Sequence, residues 1–252
     1  MKIIRTLLFV FLALFVLPSA VSAGLWWLGD NPRSWGEADW SSARVLPEAG
    51  ESRDAAVYVM SARTGGLKGA VSVHSWLVLK DEGADRYERW DVVGWGMPVR
   101  QNNWDPDGRW YSNQPQIVGE AHGELAADLI PRLRQAITDY RFSNRGDYRI
   151  FPGPNSNTFV ATVLRDLPGF AVTLPAPAVG RDYPVDGELA SLDRARGEFR
   201  ASLFGYAGIV LGRASGLEIN VLGLVAGINP FDLSVTIPAF GTYSLLNAAN
   251  FA

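Results

Sequence analysis

Two segments hold the residues whose types and spacing could do chemistry. FPGPNSNTFVATVLR, residues 151–165, sets Ser156 between Asn155 and Asn157, after Gly153-Pro154 and ahead of an apolar run. Pro154 disfavours helix at Gly153, so a helix begins just after it, with Phe159, Val160, Val163, Leu164 and Leu167 on one side. Ser156 then stands at or beside the helix N-terminus, where unpaired N–H groups and the positive dipole end favour an anion. That setting suits a nucleophile or an oxyanion site. It equally suits a Ser or Asn N-cap, worth ~1 kcal/mol and needing no further role. Asn155 and Asn157 are candidate binding residues beside it.

The second segment is VSVHSWLVLK, residues 71–80. Its period of two puts Val71, Val73, Leu77 and Leu79 on one face of a strand and Ser72, His74, Trp76 and Val78 on the other. RYERWDVVGWG returns after DEGAD, so residues 71–95 read as a hairpin. A turn centred near Glu82 and Gly83 pairs Trp76 with Trp90 and His74 with Val92, and sets Glu88 further along the His74 face. A bulge would substitute Asp91 there. The loop QNNWDPDGRWYSNQP that follows is long and aromatic enough to bind a ligand, and Trp104 and Trp110 are its candidate contacts.

Composition removes other chemistries. The chain has no cysteine, hence no disulfide, thiolate ligand or thiol nucleophile. Its two histidines, His74 and His122, lack helical metal spacing, so no metal site or cofactor is expected. His122, between Glu120 and Glu124, reads as a surface imidazole. A net charge of -3, from 23 basic and 26 acidic residues with no basic cluster, excludes a nucleic-acid surface.

The elements that must position these residues follow an export signal. Lys2 and Arg5 precede TLLFVFLALFVL, Pro18 and the small residues Val21-Ser22-Ala23, which predicts cleavage after Ala23. The run from Thr6 to Ala23 spans about 27 Å, just short of the ~30 Å hydrocarbon core, so a retained inner-membrane anchor with Trp26 and Trp27 at the interface is the alternative. Either way the rest of the chain is exported, periplasmic or anchored facing the periplasm. Residues 1–23 are the signal or anchor, 24–56 a Trp-rich lead-in, 57–190 an α+β core, and 191–252 an apolar Gly-rich extension packed on that core. In the core, residues 119–140 read as a helical region kinked or split at Pro131. In the extension, residues 188–199 read as a short helix, and LEINVLGLVAG and DLSVTIP as two strands. GxxxG at Gly208 and Gly212 sits in too short an apolar run to be a membrane helix.

VHSWLVLK, VVGWG, FPGPNSNTFVATVLR and AVGRDYPVDG, in this order behind an export signal, resemble the bacterial family catalogued as domain of unknown function 3750. The likeness covers most of residues 24–230 and implies an envelope protein without implying an activity. A strand histidine followed some eighty residues later by a helix start of this kind is also similar to the permuted papain-like proteins of the NlpC/P60 type. That resemblance implies an antiparallel sheet with packed helices, His74 as base, Ser156 in the place of the cysteine nucleophile, and a polar residue on the neighbouring strand, Glu88 or Asp91, orienting the imidazole. A serine hydroxyl needs an oriented base more than a thiol does. Two functions are therefore carried forward. One is a non-catalytic envelope binding or scaffolding module holding a glycan, lipid or peptide. The other is a Ser/His hydrolase or acyltransferase acting on peptidoglycan amides or acyl esters.

Overall fold

The computed structural model describes residues 1–165, 167, 169–193, 197–244 and 246. Among these residues, two antiparallel sheets and three α-helices make an α+β protein. Helix α1 runs from Lys2 to Leu28. The first sheet comprises β1 (Ala56–Arg63), β2 (Val73–Lys80), β3 (Glu88–Val92), β4 (Val99–Gln101) and β5 (Gln116–His122), in the order β4-β3-β2-β1-β5. Helices α2 (Gly123–Thr138) and α3 (Ser156–Val163) cover one of its faces.

Period-two alternation along β1 and β2 decides which side chains meet which layer. Val57, Val59, Leu77 and Leu79 join Leu129, Leu133, Phe159 and Val160 in the core beneath the helices. Tyr58, Met60, Trp76 and Val78 point the other way, into a second cluster closed by Trp110, Trp40 and Trp104. Both faces are covered, so β1 and β2 are buried almost throughout. Pro131 does not divide α2. Its ring lies on the exposed side while Leu129, Ile130 and Leu133 are pinned in the core, and that packing outweighs a local penalty of about 3 kcal/mol. The helical region starts later than its sequence suggests, because Glu120 and His122 belong to β5. His122 is half-exposed beside Glu120.

The second sheet is a seven-stranded meander of β6 (Ala190–Asp193), β7 (Glu198–Leu203), β8 (Ala207–Gly212), β9 (Gly216–Val221), β10 (Leu224–Asn229), β11 (Ser234–Ile237) and β12 (Gly241–Ser244). The helix expected over residues 188–199 is instead the β6–β7 hairpin, of which residues 194–196 lie outside the described residues. LEINVLGLVAG is two strands, because Leu222 and Gly223 both take positive φ and turn the chain between β9 and β10. The polar face of this sheet, with Glu198, Glu218, Asn220, Ser234 and Thr236 buried, turns inward.

α1 continues past Ala23 to Leu28. A π-helical turn over Leu12–Val16 precedes Pro18 and absorbs the backbone bond that its ring removes. The helix is apolar enough to cross a membrane, with mean hydropathy 2.3. Its C-terminal half is docked on the protein. The Ser22 hydroxyl donates to the Ala70 carbonyl (2.5 Å). Trp26 lies so close to Gly69 that a Cβ there would come within 2.2 Å of the indole ring.

Candidate functional site

The β2–β3 register builds the site around His74. Leu77 pairs with Trp90 and Val78 with Arg89, one residue displaced from the expected pairing. A one-residue shift moves every β3 side chain to the other face. Glu88 is thereby removed from His74 and binds Arg134 (2.5 Å) and the Trp90 indole N–H (3.2 Å). The expected role of Glu88 as orienting carboxylate is corrected: Asp91 holds that position, and no bulge in β3 is needed to place it.

His74 Nε2 lies 2.7 Å from Asp91 Oδ1. Arg89 grips the same carboxylate from the far side, with Nε to Oδ2 at 2.7 Å and Nη2 to Oδ1 at 3.1 Å. All three side chains are buried. Arg89 Nη1 also donates to the Asp105 carbonyl at 2.6 Å, and the guanidinium carbon stands 4.1 Å from the centre of the Trp76 ring. The His74 ring stacks face to face on Trp110, with centroids 3.7 Å apart and planes 7° apart. Burial pushes the His74 pKa below the usual 6.5, against the opposing hydrogen bond and charge of Asp91. For Asp91, burial acts to raise the pKa, but the Arg89 charge and the hydrogen bond with His74 together hold it below 3.8. The consistent state is a neutral imidazole donating its Nε2–H to an ionised carboxylate that Arg89 neutralises. His74 Nδ1 makes no hydrogen bond among the described residues.

On the helix side, Asn155 is the N-cap. Its Oδ1 accepts from the N–H of Asn157 (3.0 Å) and of Thr158 (3.2 Å), while the Thr158 hydroxyl accepts from the Asn155 N–H (3.1 Å). This reciprocal capping box fixes the first turn of α3. The remaining amide groups fasten that turn to its surroundings. Asn155 Nδ2 donates to the carbonyls of Ile150 and Val179, both at 3.0 Å. Asn157 Nδ2 donates to Val73 and Val179, both at 2.9 Å. These two candidate binding residues are thus committed to the fold, and Asn157 ties α3 to the residue next to His74. Ser156 occupies the first helical position, 3% exposed, and its hydroxyl makes no hydrogen bond among the described residues, including to His74.

Trp104 and Trp110 belong to the cover of the second cluster. Trp110 is 3% exposed, lies on His74 and meets Trp40 edge-on at 5.1 Å. Within the aromatic loop Trp110 packs inward and Trp104 is half-buried. Sequence reasoning missed Arg89 altogether. Its signal was the R-x-D pattern of Arg89 and Asp91, two residues apart on one strand and hence on one face.

Space for a ligand lies elsewhere, against the polar face of the second sheet, in one chamber shared with α3 and the segment 172–189 and another shared with the first sheet. The former, of about 650 Å³, is lined by Asp182, Arg200 and Asn220, and the latter, of about 550 Å³, by Arg63, Gln116 and Thr236. Arg181 and Glu218 line both, and their ion pair (2.5 Å) forms part of the wall between them. Among the described residues there is no group of three or more His, Asp or Glu side chains able to hold a metal ion.

Fold and site define an α+β protein whose first sheet carries a buried His–Asp–Arg cluster under a tryptophan cover, on the face opposite its helices. The chain belongs to the family described as Protein of unknown function (DUF3750), whose model matches residues 54–183. No curated protein and no solved structure matches it.

Proposed function

We propose that the chain is an exported cell-envelope protein held at the inner membrane by α1, with a papain-like core that serves as a non-catalytic binding or scaffolding module. The observation that carries this reading is the closure of the His74 and Ser156 region. The two residues are 4% and 3% exposed, no hydrogen bond joins them, and Trp110 covers the face of the imidazole. A substrate carbonyl would need to come within about 3–3.5 Å of the hydroxyl, and the burial of Ser156 and the indole over His74 weigh against that approach. Membrane attachment rests on the apolar helix Lys2–Leu28 and its docking through Ser22. A polar or ionic group of a glycan, lipid or peptide fits the chambers along the second sheet better than the aromatic loop, because the chambers carry Arg181, Asp182, Arg200 and Glu218 while Trp110 is packed.

One feature favours the hydrolase or acyltransferase reading. Asp91 supplies the orienting carboxylate for His74 and leaves Nδ1 unprotonated and free. A fluorophosphonate probe applied to the full chain in detergent separates the two readings. No labelling is expected. Covalent labelling that disappears in both Ser156→Ala and His74→Ala would establish the enzyme instead.

A further inference from the structure

The seven-stranded sheet reverses the pattern of a soluble sheet. One rung of directly paired residues crosses all seven strands, from Leu192 through Phe199, Leu211, Leu217, Ile228 and Val235 to Tyr243. Every member is apolar or aromatic, and all but the half-buried Leu217 are exposed. The parallel rung through Ala190, Ala201, Ile209, Ile219 and Ala226 holds nothing but alanine and isoleucine. The intervening rung, on the opposite face, runs Ser191, Arg200, Val210, Glu218, Gly227, Thr236, Thr242 and looks into the chambers. Six strand spacings of about 4.8 Å and strands of four to six residues, about 13–20 Å long, make the apolar face roughly 400–600 Å², at the upper end of what a soluble surface leaves open.

We infer that this face is a lipid-docking surface, lying on the headgroup–acyl boundary of the bilayer that α1 enters. The inference rests on the membrane reading of α1 above. Continuity with that helix identifies the occupant: α1 touches β10 through its Leu12–Val16 turn, where Phe15 is buried, so the sheet meets the most apolar helix of the molecule. Exposed Phe204 and Tyr206 at one end of the strands and Phe231 at the other give the face aromatic margins, as at membrane interfaces. Spanning is excluded by length, because no described strand of this sheet exceeds six residues and a membrane strand needs about 9–11. It is disfavoured also by the edges at β6 and β12, which pair with no further strand among the described residues and would be stranded in hydrocarbon. A surface laid flat keeps those edges at the wet boundary while covering its apolar rungs.

The absence of cysteine makes the test direct. Single variants of the full chain, Ile219→Cys and Ile228→Cys on the sheet, Leu14→Cys on α1 and Glu82→Cys in the exposed β2–β3 turn, are labelled with an environment-sensitive dye. They are reconstituted in phosphatidylethanolamine/phosphatidylglycerol vesicles with or without doxyl-labelled phospholipid. Dyes at 219, 228 and 14 are expected to emit blue-shifted and to lose most of their emission to the doxyl lipid, while the dye at 82 does neither. Dyes at 219 and 228 that behave like 82 while 14 is quenched overturn the docking surface and leave the anchor standing. Blue-shifted but unquenched sheet dyes overturn it too, because a second copy or another protein then covers the face. Quenching at none of the four positions removes the anchor and the surface together.

Discussion

At His74 the environment acts on a single proton, which makes the residue a reporter of its own burial. Its folded pKa is depressed, by burial first, below 6.5. In the unfolded chain the imidazole takes up a proton near 6.5, whereas in the folded chain it resists until lower pH. Stability from this group is therefore complete above about pH 6.5 and declines as pH falls below that value, by at most about 1.4 kcal/mol per pH unit. Asp91, depressed below 3.8, contributes with the same sign but only in a lower window, and leaves the region from 5 to 7 to the histidine. Glu218, raised above 4.5 by burial, has the opposite sign, so a comparison of variants is needed to isolate His74. Urea unfolding of the full chain in detergent should show a midpoint falling from pH 7 to pH 5.5, and His74→Asn should flatten that fall. Parallel pH profiles for the two proteins would mean that the imidazole titrates normally in the folded state.

At the scale of elements, the sequence carried the strand faces but not their alignment. VHSWLVLK shows which residues of β2 share a side, and Leu77 and Leu79 do lie under the helices while Trp76 and Val78 lie under the tryptophan cover. What it could not show is the register of β3. The turn is fixed from outside, by the Gly83 N–H donating to the Arg53 carbonyl at 2.7 Å, a contact with the lead-in that no local pattern encodes. A shift of one residue then exchanged Glu88 for Asp91. The helix start was legible for the opposite reason, because capping is local: Pro154, Asn155 and Thr158 suffice to define it. Ser156, the most conspicuous residue by analogy, is the least engaged of that turn, and Asn157 the most consequential. Asn157→Leu removes two part-buried hydrogen bonds, to the carbonyls of Val73 and Val179, the second of which keeps Asn155 as a donor, and should lower stability by about 1–3 kcal/mol. Ser156→Ala removes no hydrogen bond and should change it by less than about 1 kcal/mol. Thermal unfolding of both variants, in the same detergent, reads the contrast, and equal losses would contradict the assignment of roles.

Across the whole molecule, the sequence showed alternation in the C-terminal third without showing which face was inside. An apolar stripe is ordinarily assigned to the core, and here the polar stripe is. The reason lies in what the sheet faces: Arg181, Asp182 and their neighbours at the end of the family-matched region demand charged partners, and β7 and β9 supply Arg200, Glu198 and Glu218. Arg181 is the central link, donating to the Leu174 carbonyl in the core half and to Glu218 at 2.5 Å in the sheet. Buried ion pairs of this kind contribute little net stability over an apolar replacement, yet leaving one partner unmatched is costly. Arg181→Met should therefore destabilise by about 3–5 kcal/mol at pH 7, since Glu218 is left buried in a site that already disfavours its charge. Arg181→Met combined with Glu218→Leu should recover most of that loss. A double-mutant cycle by urea unfolding measures the coupling directly. If the double variant is as unstable as the sum of the singles, the sheet is held to the core by something other than this pair, and the two chambers would be expected to survive its removal.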